Sequence, residues 1–307
     1  MKNPDLPGTA ETFSLFGDPL YQSPIRLWLP DDEEAYTEKL RELRENHEKA
    51  LREYMEDPDD PERIIWLGRR TSILGRFMEA ASIYSKGIEK HPDDPRFYRF
   101  RGHRFVILRR IDLAIRDFER AAELIEGRPD EPELYASGGP SEDKLGVGGF
   151  HWNVWYHLGF TYLVAGRLED AAEAYRKCMG VSDTTESVIA ATHWLCMVLL
   201  RLGRHGEIDG LLEPIEAGLS VVEVGDYYET LLMYKGETTP EALLERARGE
   251  GPLRLLTRGQ AVGNLYLSRG ETGRAVEVFR EILETGEWTA GVYLLAEAEL
   301  KRLGLTP

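Results

Sequence analysis

Two cysteines, Cys178 and Cys196, are all that this 307-residue chain contains. They form no CxxC pair, so neither a disulfide framework nor a zinc-binding spacing is available. No apolar run approaches the roughly 20 residues needed to span a bilayer. Positive charge is scarce: 38 Lys and Arg stand against 54 Asp and Glu, a formal net charge of -16. Such a surface repels phosphate backbones and anionic lipid, which argues against nucleic acid and membrane as partners. Catalytic signatures are missing as well, with no GxSxG, Walker A or HExxH. HEKAL at 47–51 is half a zinc motif with Leu51 in place of the second histidine, and its His47 lies on an apolar stripe. GVGG at 146–149 follows no strand pattern and precedes no GK[ST]. No metal or cofactor is expected. The opening MKNPDLPGTAETFSLFGDPLYQSP places Pro, Gly and acids where a signal peptide needs apolar residues. As given, the chain is expected in the cytoplasm; removal of a leader would make it exported or periplasmic.

What the chain has is repetition. WYHLGFTYLVAGRLEDAAEAYRKCM at 155–179 is apolar at spacings of three and four, breaks at Gly166-Arg167, and resumes. In a unit starting at Trp152, Trp155 is position 4, Leu158-Gly159 are 7 and 8, Tyr162 is 11, Ala171 is 20, Tyr175 is 24 and Cys178 is 27. From Pro61, Leu67-Gly68 fall at 7 and 8, Ala80 at 20, Tyr84 at 24 and Gly87 at 27; from Pro95, Tyr98 is 4, Gly102 is 8, Phe105 is 11, Ala114 is 20, Phe118 is 24 and Ala121 is 27. These last two starts lie 34 residues apart. A unit from Ile189 is weaker, with Cys196 at 8 and Gly203 at 15; one near 222–255 is degenerate; one from Leu256 recovers Gly263, Tyr266, Gly270, Ala275 and Phe279.

The order aromatic, Leu-Gly, Tyr, Ala, aromatic at a 34-residue period resembles the tetratricopeptide repeat (TPR) family from residue 61 to about 287. HWLCMVLLRLGR and YYETLLMYKGE resemble a bacterial branch of that family, whose members often carry an export or lipoprotein leader. The resemblance implies an all-α fold: a right-handed α-α superhelix, a solenoid of five to six helical hairpins. Small residues at positions 8, 20 and 27 allow the two helices of a hairpin to cross closely. Large residues at 4, 11 and 24 fill the space between units, and neighbours must stack because no hairpin buries its apolar face alone. Cys178 and Cys196 fall in small-residue slots and read as core.

Around the solenoid (61–287) the sequence predicts three further segments. Residues 1–30 form a Pro-rich arm carrying Phe13, Phe16, Tyr21 and Trp28, expected to lie extended against the solenoid. Residues 31–60 hold a cap helix, with Asp31 and Asp32 at its start and an apolar stripe through Tyr36, Leu40, Leu43, His47, Ala50, Leu51 and Tyr54. Residues 288–307 hold a closing helix. A 129–150 insertion, PDEPELYASGGPSEDKLGVGGF, breaks the period and is either functional or disordered; our expectation is that it folds over one edge of the groove.

In the TPR family, positions 2, 5, 9, 12 and 13 of the first helix line a concave groove. In this chain they include Arg69, Arg96, Arg99 and His103, then Asn153, Tyr156 and Phe160, then His193 and Met197, and finally Gln260 and Asn264. A basic wall thus gives way to an aromatic one. One reading is internal: arginine stems cover apolar surface and pair with neighbouring acids. The other is a non-catalytic scaffold for a protein or peptide segment, the arginines holding a carboxylate from an acidic side chain or a free C-terminus and Tyr156 and Phe160 an apolar anchor. The two-carboxylate clamp of chaperone-binding relatives is not reproduced, because Ile65 and Arg69 occupy its first slots. Two alternatives remain: an enzyme or metal site from His151, His157, His193, Tyr227, Tyr228 and Glu229, and self-association through the array's ends or the arm.

Overall fold

The computed structural model describes residues 9–24, 32–134 and 145–307; Trp28 and Asp31 fall outside them. Several helices begin at a side-chain cap. Asp32 opens α1 (Glu33–Glu56) by accepting from the Ala35 N–H at 2.8 Å. Asp60-Pro61 opens α2 (Pro61–Ile73) and Asp94-Pro95 opens α4 (Pro95–Ile107), the acid capping and the proline sitting where no N–H is needed. Thr184 and Ser187 form a capping box at α8 (Thr185–Arg201).

Six helical hairpins follow α1. They are α2 with α3 (Phe77–Lys90), α4 with α5 (Ile111–Ile125), α6 (Phe150–Val164) with α7 (Leu168–Gly180), α8 with α9 (His205–Leu212), α10 (Gly225–Lys235) with α11 (Pro240–Glu250), and α12 (Pro252–Ser268) with α13 (Thr272–Glu284). A last helix, α14, runs Gly291–Arg302. Strand is confined to two small antiparallel pairs among the described residues: β1 (Thr12–Phe13) with β2 (Pro19–Leu20), and β3 (Pro132–Leu134) with β4 (Leu145–Gly149). No helix among the described residues is long and apolar enough to cross a membrane.

In four of the six hairpins the crossing is a glycine against a ring. A Cβ on Gly159 would lie 2.9 Å from the Tyr175 ring, and Gly68 meets Tyr84 in the same way. The pairs are positions 8 and 24 of their units. Where position 8 is Cys196, position 24 is the smaller Leu212, and both are buried; this trade keeps the volume of the crossing near constant. Ala80, Ala114 and Ala171 are fully buried. Ala171→Leu is therefore expected to lower stability by about 1–3 kcal/mol through overpacking, read as a fall in the urea midpoint at constant slope; an unchanged midpoint would show that the helices can part without loss.

The turn between the two helices of a hairpin needs one left-handed residue. Gly75, Gly166, Gly203 and Gly270 supply it, at φ between +69° and +80°. In the second hairpin the same place is taken by Arg109, at φ +59°.

The closing helix and the β1–β2 hairpin meet at the inner side and rim of the array. The closing helix α14 packs against α13, which precedes it, and reaches across to α4, α6 and α12, first helices of their hairpins. Gly291 at its start lies against Phe160. The Arg302 guanidinium donates to the Val164 carbonyl at 2.7 Å and Arg201 pairs with Glu299 at 2.8 Å. The N-terminal hairpin docks on the rim nearby. Thr12 Oγ1 donates to the Leu108 carbonyl at 2.7 Å, and Lys301 Nζ donates to the Leu15 carbonyl at 2.9 Å. The concave side is thus open only where α14 does not cover it.

Candidate functional site

The first three hairpins place charged side chains together where α2, α4 and α6 face one another. Arg69 from α2 lies over the Trp66 and Phe100 rings at 4.9 Å, and Arg99 from α4 lies over the other side of the cluster, 4.9 Å from the same Phe100 ring. Arg104, also on α4, donates to Ser72 Oγ and to His103 Nδ1. All three guanidiniums are at least nine-tenths buried, at 8%, 6% and 7% residue exposure. Burial costs a cation its hydration unless a carboxylate replaces it. Burial pushes Arg104 down to about 10, and among the described residues no carboxylate lies within ion-pair distance of it.

The carboxylate that does enter belongs to the insertion. Glu133 on β3 pairs with Arg99 at 2.7 Å, the two side chains being 11% and 7% exposed. The same Arg99 Nη2 donates to Asn153 Oδ1 and to His157 Nε2, both at 3.2 Å. Asn153 in turn donates to the Gly148 and Gly149 carbonyls of β4, so one amide ties the insertion to the arginine. Three polar atoms are left without a hydrogen bond: Arg99 Nε, Arg104 Nε and Glu133 Oε2. His103 and His157, whose rings are 4.6 Å apart, are held well below the usual histidine range, first by burial and then by the neighbouring arginines. Neutral rings are what the arginines require, since each accepts a guanidinium N–H.

The remaining predicted groove residues are placed differently. Arg96 lies at the inter-unit edge, bound to Asp94 and Glu62. It lines a cleft of about 660 Å³ with His91, Arg128 and His151. Phe160 is buried against Gly291 of α14. Tyr156 is taken up in a belt of rings: its hydroxyl accepts from Trp194 Nε1 at 2.8 Å and shares a 2.9 Å hydrogen bond with the Tyr227 hydroxyl. Tyr227 stacks on His193 at 4.5 Å, and His193 is bonded to Thr230 Oγ1 at 2.5 Å. Met197, Gln260 and Asn264 are buried, Asn264 donating to the Met197 carbonyl at 3.0 Å. The aromatic and C-terminal half of the expected groove lining is therefore internal packing, because α14 and the close approach of α8 to α12 cover it.

Of the groups of the alternative enzyme site, His193 and Tyr227 are together, stacked in the ring belt, and the others lie apart from them. His157 belongs to the arginine cluster, His193 to the ring belt, and His151 to the edge cleft. Tyr228 donates to the Glu216 carbonyl at 2.6 Å, and Glu229 pairs with Arg246 at 3.3 Å. Sequence reasoning missed Arg104 and Glu133. Arg104 is position 10 of its unit, outside the slots taken to face the groove; Glu133 sits in the insertion, where the repeat frame has no assignment. An acid in an insertion directly after an arginine-bearing unit was the available signal.

Tetratricopeptide repeat family models match residues 74–132 and 153–184. No curated protein matches the chain. Similar solved structures include YrrB, described as a TPR protein with an unusual peptide-binding site: 13% identical, covering 82% of this chain and 97% of that one, TM-score 0.45. MamA is 16% identical over 68% of this chain and 98% of its own, TM-score 0.43. The TPR domain of P58(IPK) is 14% identical over 87% of this chain and 95% of its own, TM-score 0.25. Family matches and glycine-to-ring hairpins fall in one frame, and together they show that the helical hairpins within 74–132 and 153–184 are tetratricopeptide repeats.

Proposed function

We propose that this scaffold is non-catalytic and holds an acidic protein segment on the N-terminal part of its concave side, with Arg99 and Arg104 receiving carboxylate and Arg69 and Phe100 forming the adjoining wall. The observation that carries the reading is the arginine cluster itself. In a chain of net charge -16, three buried arginines converge, and two retain an N–H without an acceptor. A carboxylate is the group that such donors fit, because a guanidinium fork accepts it through two parallel bonds. A free C-terminus offers the same chemistry as an aspartate or glutamate side chain.

Each charge-assisted bond contributes about 1–3 kcal/mol, so a segment making three of them at the upper end of that range binds, at its tightest, at about micromolar concentration. Fluorescence anisotropy with a labelled hexaglutamate peptide tests this. Binding is expected to weaken as salt rises from 50 to 300 mM, since the contacts are partly screened, and Arg99→Gln is expected to weaken it about tenfold or more. Hexaglutamine is expected not to bind. Binding indifferent to both salt and Arg99→Gln would remove the cluster from consideration as the site.

A further inference from the structure

We infer that Glu133 is an internal stand-in for the ligand's carboxylate, so that the β3–β4 insertion competes with the acidic segment for the arginine cluster; this rests on the reading above. Three observations carry it. First, the occupancy is incomplete. Glu133 reaches Arg99 through one oxygen, at 2.7 Å, while its second oxygen and both Nε donors have no hydrogen-bond partner. A carboxylate free to choose its approach would meet the guanidinium edge with both oxygens. One supplied by a short strand of fixed register cannot.

Second, the attachment of the insertion is lopsided. Its later part is fastened to the solenoid: Asn153 Nδ2 holds the Gly148 and Gly149 carbonyls, and Thr184 Oγ1 donates to the Val147 carbonyl at 3.2 Å. Asp130 Oδ1 fixes the start by accepting from the His151 N–H at 2.8 Å. Between these anchors, β3 is held by its ladder to β4, which is itself irregular between Pro132 and Leu134, and by the Glu133 ion pair. Glu133 can therefore leave the arginines by a change of rotamer, with no helix disturbed.

Third, the chemistry of the site asks for more negative charge than Glu133 brings. Arg104 finds only a hydroxyl and a neutral imidazole. The ligand that fits is therefore a segment with adjacent carboxylates, such as paired acidic side chains or an acidic residue at a free C-terminus. A tethered carboxylate acts at a high effective concentration; every outside ligand must first displace it, and the wild-type affinity is set by that competition.

The test compares labelled hexaglutamate binding to the full chain, to Glu133→Gln, and to Glu133→Gln with Arg99→Gln. Far-UV circular dichroism checks folding, and Glu133→Asp, whose shorter arm keeps the charge and withdraws it from Arg99, serves if Glu133→Gln fails to fold. Glu133→Gln is expected to bind at least tenfold tighter than wild type, with the gain lost when Arg99 is also replaced. Equal affinity of wild type and Glu133→Gln, abolished in both by Arg99→Gln, would overturn the stand-in and leave the acidic-segment site in place. No binding by wild type, Glu133→Gln or Glu133→Asp would remove both.

Discussion

Replacing Arg109 by alanine is expected to cost roughly 3–5 kcal/mol, because it strands a buried acid. Arg109 pairs with Glu297 of α14 at 3.2 Å; their side chains are 4% and 1% exposed. The guanidinium also lies 5.4 Å from the centre of the Trp288 ring and donates to the Ile107 carbonyl at 2.6 Å. It does this from the left-handed backbone conformation that glycine holds in the first, third, fourth and sixth hairpins, at a cost of about 1–2 kcal/mol for an L-residue. The chain retains a strained turn in order to pin the closing helix to the second hairpin. Arg109→Gly should therefore lose less than Arg109→Ala, by about that strain. Pairing either variant with Glu297→Gln should recover part of the loss, since the acid is then neutral. Burial already holds the Glu297 carboxyl above its usual range, with Arg109 opposing. Without Arg109 it rises further, and an acid with a raised folded pKa contributes stability that is lost as pH rises through that pKa. The deficit of Arg109→Ala should accordingly be larger at pH 8 than at pH 5. Urea melts at the two pH values measure this, and a pH-independent deficit would show that the lost interaction is packing and not charge.

Lowering the pH from 7.5 to 5.5 is expected to destabilise the unmodified chain, with buried histidines contributing up to about 4 kcal/mol of the loss. Three histidines carry that contribution. His103 and His157 are held well below the usual range by burial and then by charged neighbours, mainly Arg104 and Arg99, and His193 is pushed down to about 3 by burial. A base with a depressed folded pKa favours the folded state above its unfolded pKa, near 6.5, and disfavours it as protons are taken up by the unfolded chain. Each such histidine loses about 1.4 kcal/mol per pH unit below that value, so one unit below it the three together reach about 4 kcal/mol. For a chain of this length that is roughly 6 °C in melting temperature. The neighbours of these rings favour the neutral form: Arg99 and Arg104 face His157, Arg104 donates to His103, and Thr230, Tyr227 and Trp194 surround His193. His193→Gln should flatten the pH dependence by about one third. A melting temperature unchanged between pH 7.5 and 5.5 would mean that the rings take up protons in place.

The sequence by itself determined the repeat. The periodic small and large residues required helical hairpins crossing at glycine and alanine, since the pairs Gly68–Tyr84 and Gly159–Tyr175 leave no room for another arrangement. These are local constraints, encoded within 34 residues, and their register is readable from one unit to the next. The basic residues Arg69, Arg99 and His103 were legible for the same reason, as positions on one helix face. What only the tertiary structure decided is the fate of that face. The repeat rule assigns a concave side but does not say how tightly the array curls or what returns to fill it. The return of α14 across α4, α6 and α12 turned Phe160 from expected lining into core, the approach of α12 to α8 did the same to Met197, and the insertion brought Glu133 to Arg99 across 34 residues of chain. Burial of that kind depends on where distant segments meet, and neither α14 nor the insertion carries the repeat signature that would have fixed its position. Arg109 marks the boundary between the two kinds of information. Its place in the turn follows from the repeat, but the reason for an arginine there is Glu297, 188 residues away.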